Sequence, residues 1–395
     1  MTDLILVLNA GSSSIKFALH PVDAGQKEPA VSGAIDGIGT MPQFKAKDQK
    51  GQPLALALLE GIDQAADHAQ LVTRLLEWLL DSETDRRIVA AGHRVVHGGR
   101  QFDRPVSIDA GVLDSLEKLV PLAPLHQPHS LAAIRAVADR IPGLPQVACF
   151  DTGFHRTQPR LAQLFALPRQ LSDEGIIRYG FHGLSYQYIA GVLPEHLGAR
   201  ADGRVIVAHL GNGASMCAMR ERKSIATSMG FTALDGLMMG RRSGSIDPGV
   251  LIHLQDDKGM DVDAVRRLLY RDSGLFGVSG ISNDMRDLES STDPHAKEAI
   301  DLFCYRAALE LGSLAAALEG LDAIVFTAGI GEHSQTVRRL ICDRLGWLGV
   351  DLDAAANDAH ASRISTAASK VDVLVIPTDE EAVIADAVRE RIDFT

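Results

Sequence analysis

The chain has 395 residues, 46% hydrophobic and 23% charged, an ordinary globular balance on a length that exceeds one core, so two domains are expected. A formal net charge of -12 argues against nucleic acid or an anionic membrane as partner. No apolar run reaches the ~18 residues that span a bilayer. The start, MTDLILVL, lacks the basic segment of a signal peptide, and Cys149, Cys217, Cys304 and Cys342 have neither metal nor redox spacing, so a cytoplasmic protein with reduced thiols is expected.

Residues 4–8 read as a buried strand, followed by a polar turn at 9–14 and a second strand at 15–19. A third strand is expected at 31–35 within a stretch, 21–53, that otherwise looks loose. Helical periodicity covers 68–80, and 88–96 reads as another strand. The second half repeats this order, with strands at 204–209 and 214–219 around a Gly-Asn-Gly turn and a third at 223–227. Helices are expected at 248–255, 262–270 and 296–318, then strands at 322–327 and 371–376 and a helix from Glu380. The strand–turn–strand unit thus occurs twice, as a duplicated α/β domain would have it.

Three Gly/Ser turns follow buried strands. In NAGSSSIK at 9–16, Gly11 permits a tight turn, backbone N–H groups can wrap phosphate oxygens, and Lys16 adds a point charge. HLGNGAS at 209–215 and TAGIGEH at 327–333 are the others, the last expected as a glycine turn before a helix near Ser334. Each alone is a weak signal; together they point to a nucleotide held between two lobes.

These turns, with HRVVHGG at 93–99, FDTGFH at 150–155, RYGFHGLS at 178–185, residues 228–240, Arg242-Ser243-Gly244 and ISNDMRD at 281–287, resemble the acetate kinases from about residue 4 to about 385. The resemblance implies two ribonuclease-H-like domains of the acetate and sugar kinase/Hsp70/actin superfamily around an interdomain cleft. One domain would take 1–150 with 381–395, and the nucleotide-binding one 151–380. It also implies a homodimer that interconverts acetate plus ATP with acetyl phosphate plus ADP, with Mg2+ (or Mn2+) as cofactor.

By that resemblance Arg94 and Arg242 grip the transferring phosphoryl or the carboxylate, His182 contacts the phosphoryl, and Asp151 is essential. Asn9 and Glu380 match the magnesium ligands, and two suffice for a metal that keeps water and phosphate oxygens. Nucleotide contacts fall on Lys16, His209, Leu210, Gly211, Asn212, Gly213, Asp284, Met285, Arg286, Gly329, Ile330, Gly331, Glu332 and His333. Val96, Leu125 and Phe181 crowd the acetate methyl, and His126 is a further substrate contact.

Several positions depart from the family pattern: Gln127 and His333 stand where asparagine is usual, Ala233 for proline, Arg241 for threonine, Ser245 for aspartate, Ala328 for glycine and Asp379 for asparagine. Ala233 is expected to loosen the acyl pocket, Arg241 to alter carboxylate affinity, and His333 to change base or ribose contacts. A propionate or butyrate kinase shares every motif and differs in pocket volume. A nucleotide-dependent binding module of the same fold would need the turns but not Arg94, His182 and Arg242.

Overall fold

The run LILVL at 4–8 carries no side-chain polar atom and is fully inside, at 1% exposure or less, so its backbone must pair on both edges. It does so as β1 (Thr2–Ala10), antiparallel to β2 (Ser14–Pro21) and parallel to β5 (Arg86–Val95). The computed structural model describes residues 2–11, 14–26, 28–38, 41–54, 66–81 and 86–394; Ser12 and Ser13 of the first glycine turn lie outside them.

The chain divides into two compact units, Met1–Phe154 with Asp379–Thr395, and His155–Thr378. In the first unit β3 (Val31–Asp36), β4 (Gln43–Asp48), β6 (Val106–Ser107) and β7 (Gln146–Phe150) complete a sheet of order β4-β3-β2-β1-β5-β7-β6. Period-two alternation sends Leu4, Leu6 and Leu8 into a core with Leu71, Leu75 and Leu76 of the helix His68–Asp81 and Val137 of the helix Gln127–Arg140. The opposite face receives the C-terminal helix Glu380–Arg391. It packs so closely that a Cβ on Gly92 would lie 2.4 Å from Ile384 Cγ2.

The stretch 21–53, expected to be loose, carries both β3 and β4. Phe44 of β4 stacks on Phe17 at 5.8 Å, and Trp78 stands edge-on to both rings. A short outer strand that buries little beyond Phe44 and Ala46 leaves a weak periodicity in the sequence.

The second unit builds β8 (Val205–Leu210), β9 (Ala214–Arg220), β10 (Lys223–Thr227), β11 (Ala323–Thr327) and β12 (Asp372–Val375) in the order β10-β9-β8-β11-β12. This is the order and sense of β3-β2-β1-β5-β7: two antiparallel neighbours on one side of the first strand, two parallel on the other. The repeated pattern seen in the sequence is therefore a repeated topology. The helix Pro294–Leu318 supplies much of the core with a row that includes Phe303, Ala307, Leu311 and Leu314. Residues 328–333 are helical rather than a plain glycine turn: a short helix, Ala328–His333, starts directly from β11. Ser334 then caps the next helix, Gln335–Cys342, with Oγ accepting from Val337 N–H at 3.0 Å.

No helix among the described residues is long and apolar enough to cross a membrane.

Candidate active site

In the first unit several of the expected site residues gather at the carboxyl ends of the parallel strands. Arg94 is the penultimate residue of β5, Asn9 lies near the end of β1, and Asp151 directly follows β7. The carboxylate of Asp151 is 1% exposed and is gripped by Arg94, whose Nε donates to Oδ1 at 3.1 Å and to Oδ2 at 3.0 Å while Nη2 also bonds Oδ2. Arg94 Nη1 donates to Asn9 Oδ1 at 3.3 Å, and Asn9 Nδ2 donates to Glu380 Oε2 at 3.1 Å. Four expected residues thus form one network: Asn9, Arg94, Asp151 and Glu380.

Its charge is lopsided. Burial, with Glu380 adding to it, raises Asp151 to about 6 against the pull of Arg94. Burial and Glu380 likewise raise Glu381, with Lys16 opposing. Burial works against the Arg94 charge, but Asp151, Glu380 and Glu381 outweigh it and hold the guanidinium protonated. At neutral pH the pair is ionised, inside a surplus of carboxylate.

The turn after β5 is pinned from below. Gln127 is fully buried; its Oε1 accepts from His97 N–H and its Nε2 donates to His97 O, both at 3.1 Å. The longer side chain at this departure position therefore serves the backbone of the HGG turn. Val96 is buried, while Leu125 and His126 are half-buried just before the helix Gln127–Arg140. Lys16 is exposed and pairs across the strands with Asn9.

In the second unit His182 opens the helix Gly183–Leu197 in a left-handed backbone conformation, φ 58°, unusual for a residue with a Cβ. Its ring stacks on His209 at 4.3 Å between centroids, and its Nδ1 lies 2.8 Å from Ser215 Oγ. His209 Nδ1 in turn lies 2.8 Å from Ser185 Oγ. Gly213 separates β8 from β9. A Cβ there would stand 2.9 Å from Arg242 Nη2 and 3.4 Å from His182 Nε2, so the bare turn lets a guanidinium and an imidazole converge on it. Arg242 is held from behind by Ala233, whose carbonyl accepts from Nη1 at 2.5 Å. Ala233 thus takes part in holding Arg242 through its backbone carbonyl.

Asn212 O accepts from Gly240 N–H at 3.0 Å, and Asn212 Oδ1 accepts from Asn283 Nδ2 at 3.2 Å. Arg241 donates to Asn283 Oδ1 at 3.2 Å and lies over the Phe276 ring at 4.3 Å, so its charge is engaged in fastening loops. Asp284 caps the helix Met285–Ser290 and pairs with Arg286, both on the surface side, whereas the Met285 side chain belongs to the core at 3% exposure. Leu210 is likewise fully buried, and Phe181 is 2% exposed with its carbonyl accepting from His155 Nε2 at 2.9 Å.

Gly329 and His333 of the third loop are exposed and Ile330 is half-buried; Gly331 is buried. Glu332 turns inward: its Oε1 accepts from Ala328 N–H at 2.8 Å and from Thr378 N–H at 3.3 Å, a cap rather than an outward-facing group. Sequence reasoning missed Arg338, which is 0% exposed. It donates to the carbonyls of Gly331 and Glu332 at 2.9 and 2.8 Å and to Asn357 Oδ1 at 2.8 Å. Nothing in the local pattern of an amphipathic helix sets that arginine apart from its surface neighbours.

The sequence model described as the acetokinase family matches residues 4–386. An acetate kinase of Rhodopseudomonas palustris is 54% identical over 393 residues, covering 98% of this chain and 97% of that protein. Among solved structures, a propionate kinase from Francisella tularensis superposes with a TM-score of 0.90 at 38% identity, covering 99% of this chain and 100% of that one. Porphyromonas gingivalis acetate kinase superposes with a TM-score of 0.85 at 36% identity, covering 97% and 98%. Two sheets of one topology with glycine turns at the strand ends, in this company, define a phosphotransferase of the acetate and sugar kinase/Hsp70/actin superfamily. Within that class the chain belongs to the acetokinase family.

Ala328 has φ 66°, a left-handed conformation that explains why glycine is usual there. Ala328→Gly is expected to raise the free energy of unfolding by about 1 kcal/mol, the relief of strain less the added freedom of the unfolded chain. Urea midpoints of the two proteins check this; a lower midpoint for the variant would show that the backbone there is unstrained.

Proposed function

We propose that this protein is an acetate kinase, catalysing direct in-line phosphoryl transfer between ATP and acetate in the cytoplasm. The observation that carries the reading is the convergence of Arg242 Nη2 and His182 Nε2 on the bare turn at Gly213. The four cysteines, all free and buried, support a reducing compartment.

The first unit, with Arg94, Asp151, Asn9 and Glu380, is assigned the carboxylate and metal side. The second is assigned the nucleotide through Asn212, Gly213, Asp284, Arg286, Gly329 and His333. A carboxylate oxygen of acetate attacks the γ-phosphorus as its bond to the ADP oxygen breaks; no proton need be removed, because acetate is ionised at neutral pH. Arg94 and Arg242 neutralise the oxygens of the phosphoryl group, and His182 donates a hydrogen bond to one of them. Asp151 fixes the planar guanidinium of Arg94, so its orientation is set before substrate arrives.

Magnesium suits the first-unit network. Asn9 and Glu380 offer hard oxygen atoms, and the charged forms of Asp151 and Glu381, which burial disfavours with Glu380 adding to it, are what a divalent cation would favour. Two protein ligands suffice for a cation that keeps water and phosphate oxygens for the rest. Held by Asn9 and Glu380, Mg2+ would supply positive charge that offsets the charge of the phosphate groups.

Val96, Leu125, Phe181 and His126 are assigned to the acetyl side. The structural likeness to a propionate kinase favours a second reading, propionate as the better substrate. We favour acetate, because each added methylene in a crowded apolar site costs ~1–3 kcal/mol. A second copy of the chain is assigned to the row Leu302, Tyr305 and Leu309, which the helix Pro294–Leu318 leaves exposed at helical spacing.

Hydroxamate formation from ATP, Mg2+ and each acid should show kcat/KM falling from acetate to propionate to butyrate. Butyrate in first place would reject the assignment, and ATP binding without any hydroxamate would favour a binding module. Arg242→Ala should lower kcat by about 100-fold or more while changing the KM for ATP little; a near-normal kcat removes Arg242 from the mechanism. Light scattering should give about twice the 42.3 kDa of one chain, and Leu309→Asp should lower it; a monomeric wild type refutes the homodimer.

A further inference from the structure

Behind His182 lies a buried polar chain that the reaction as described does not use. Ser215 Oγ, in β9, is 2.8 Å from His182 Nδ1 and 2.5 Å from Tyr186 Oη. Both Ser215 and Tyr186 are 0% exposed. Tyr186 stands one helical turn after His182, its N–H donating to His182 O at 3.1 Å, and its ring is edge-on to His155 at 5.5 Å. Ser215 faces His209 across the β8–β9 ladder. Strand, helix and ring stack therefore leave this trio little freedom to rearrange.

Burial lifts the Tyr186 phenol well above its usual value, with the Cys217 thiol adding to it and Ser215 opposing, so the hydroxyl keeps its proton at every working pH. The order of donors follows from chemistry. A phenol is a stronger donor and weaker acceptor than an aliphatic hydroxyl, and a neutral imidazole nitrogen is the strongest acceptor of the three. The favoured arrangement runs from Tyr186 O–H to Ser215 Oγ, and from Ser215 O–H to His182 Nδ1, each bond polarising the next. An imidazole that accepts at Nδ1 carries its proton on Nε2, the nitrogen that faces Gly213 beside Arg242.

We propose that Ser215 and Tyr186 are positioning residues that hold His182 as the neutral Nε2–H tautomer, ready to donate to the transferring phosphoryl. The inference rests on the role given to His182 above. Without the chain, imidazole in water distributes between tautomers, and the Nδ1–H form points its acceptor lone pair at phosphoryl oxygens. The arrangement also disfavours the imidazolium, which needs Nδ1 to donate and hence the serine hydroxyl to turn away.

The test is carried out on the full-length enzyme labelled with 15N-histidine. Long-range 1H–15N correlation reads the tautomer from the two ring nitrogens, with the His182 signals identified by their loss in His182→Asn. The wild type should carry the proton on Nε2. Ser215→Ala should shift the signals toward a tautomer mixture and lower kcat by about 10- to 100-fold, with the KM values for ATP and acetate within about twofold. Tyr186→Phe, nearly isosteric, should shift both readouts the same way by less, and Ser215→Thr, which keeps the hydroxyl, should recover most of the loss. A wild-type proton on Nδ1, an unchanged tautomer in both Ser215→Ala and Tyr186→Phe, or a Ser215→Thr enzyme no better than Ser215→Ala overturns the proposal. An undiminished kcat in His182→Asn instead overturns the role of His182 itself, whatever the spectra show.

Discussion

A carboxylate taken out of water must be met by a counter-charge, and in the first unit Arg94 meets that need at hydrogen-bonding range of Asp151. Replacing such a pair by its single partner is costly, because the remaining charge stays buried. The sheet supplies the geometry: β5 and β7 are parallel neighbours, with Arg94 opposite Cys149, so Asp151 emerges one step beyond Phe150, where the guanidinium can reach it. Asn9 enters from β1 and Glu380 from the start of the C-terminal helix. The site sits where ligand sites of open α/β sheets form, beyond the carboxyl ends of parallel strands.

The second unit uses the same strand ends differently. The ends of β8 and β11 carry His209 and Thr327, and each runs into a glycine-bearing segment. The segment after β11 is stiffened from within. Glu332 ties back to Ala328 and Thr378, and Arg338 supports the carbonyls of Gly331 and Glu332 from beneath. A guanidinium wholly inside the protein is tolerable because backbone and side-chain oxygens of Gly331, Glu332 and Asn357 satisfy its donors, and it brings rigidity to a loop assigned to nucleotide. Strain accompanies this order: both His182 and Ala328 hold left-handed backbone that glycine would adopt freely.

Apolar strands, amphipathic helices and glycine turns were legible from the residues because each writes its own periodicity. The first strand, LILVL, and the helix Pro294–Leu318 needed no neighbour to be recognised. The outer strand β4 was not legible, since one partly buried ring and one alanine do not make a pattern. Motif likeness located Arg94, Asp151, Asn9 and Glu380 as individual residues. It could not show that all four share one hydrogen-bonded network, because the residues are separated by up to 371 positions along the chain.

The sequence by itself determined the class: the order of strands, the repeated strand–turn–strand unit and the family-specific motifs all reside in local runs, where propensity and periodicity act over a few residues. Only the tertiary structure decided what individual side chains face. It turned Glu332 and Met285 inward, gave Gln127 a backbone to hold, committed Arg241 to Asn283 and Phe276, and brought Tyr186 and Ser215 behind His182. Those outcomes depend on which strand lies beside which and on the absence of a Cβ at Gly213, and partners distant in sequence leave no mark on one another's local pattern.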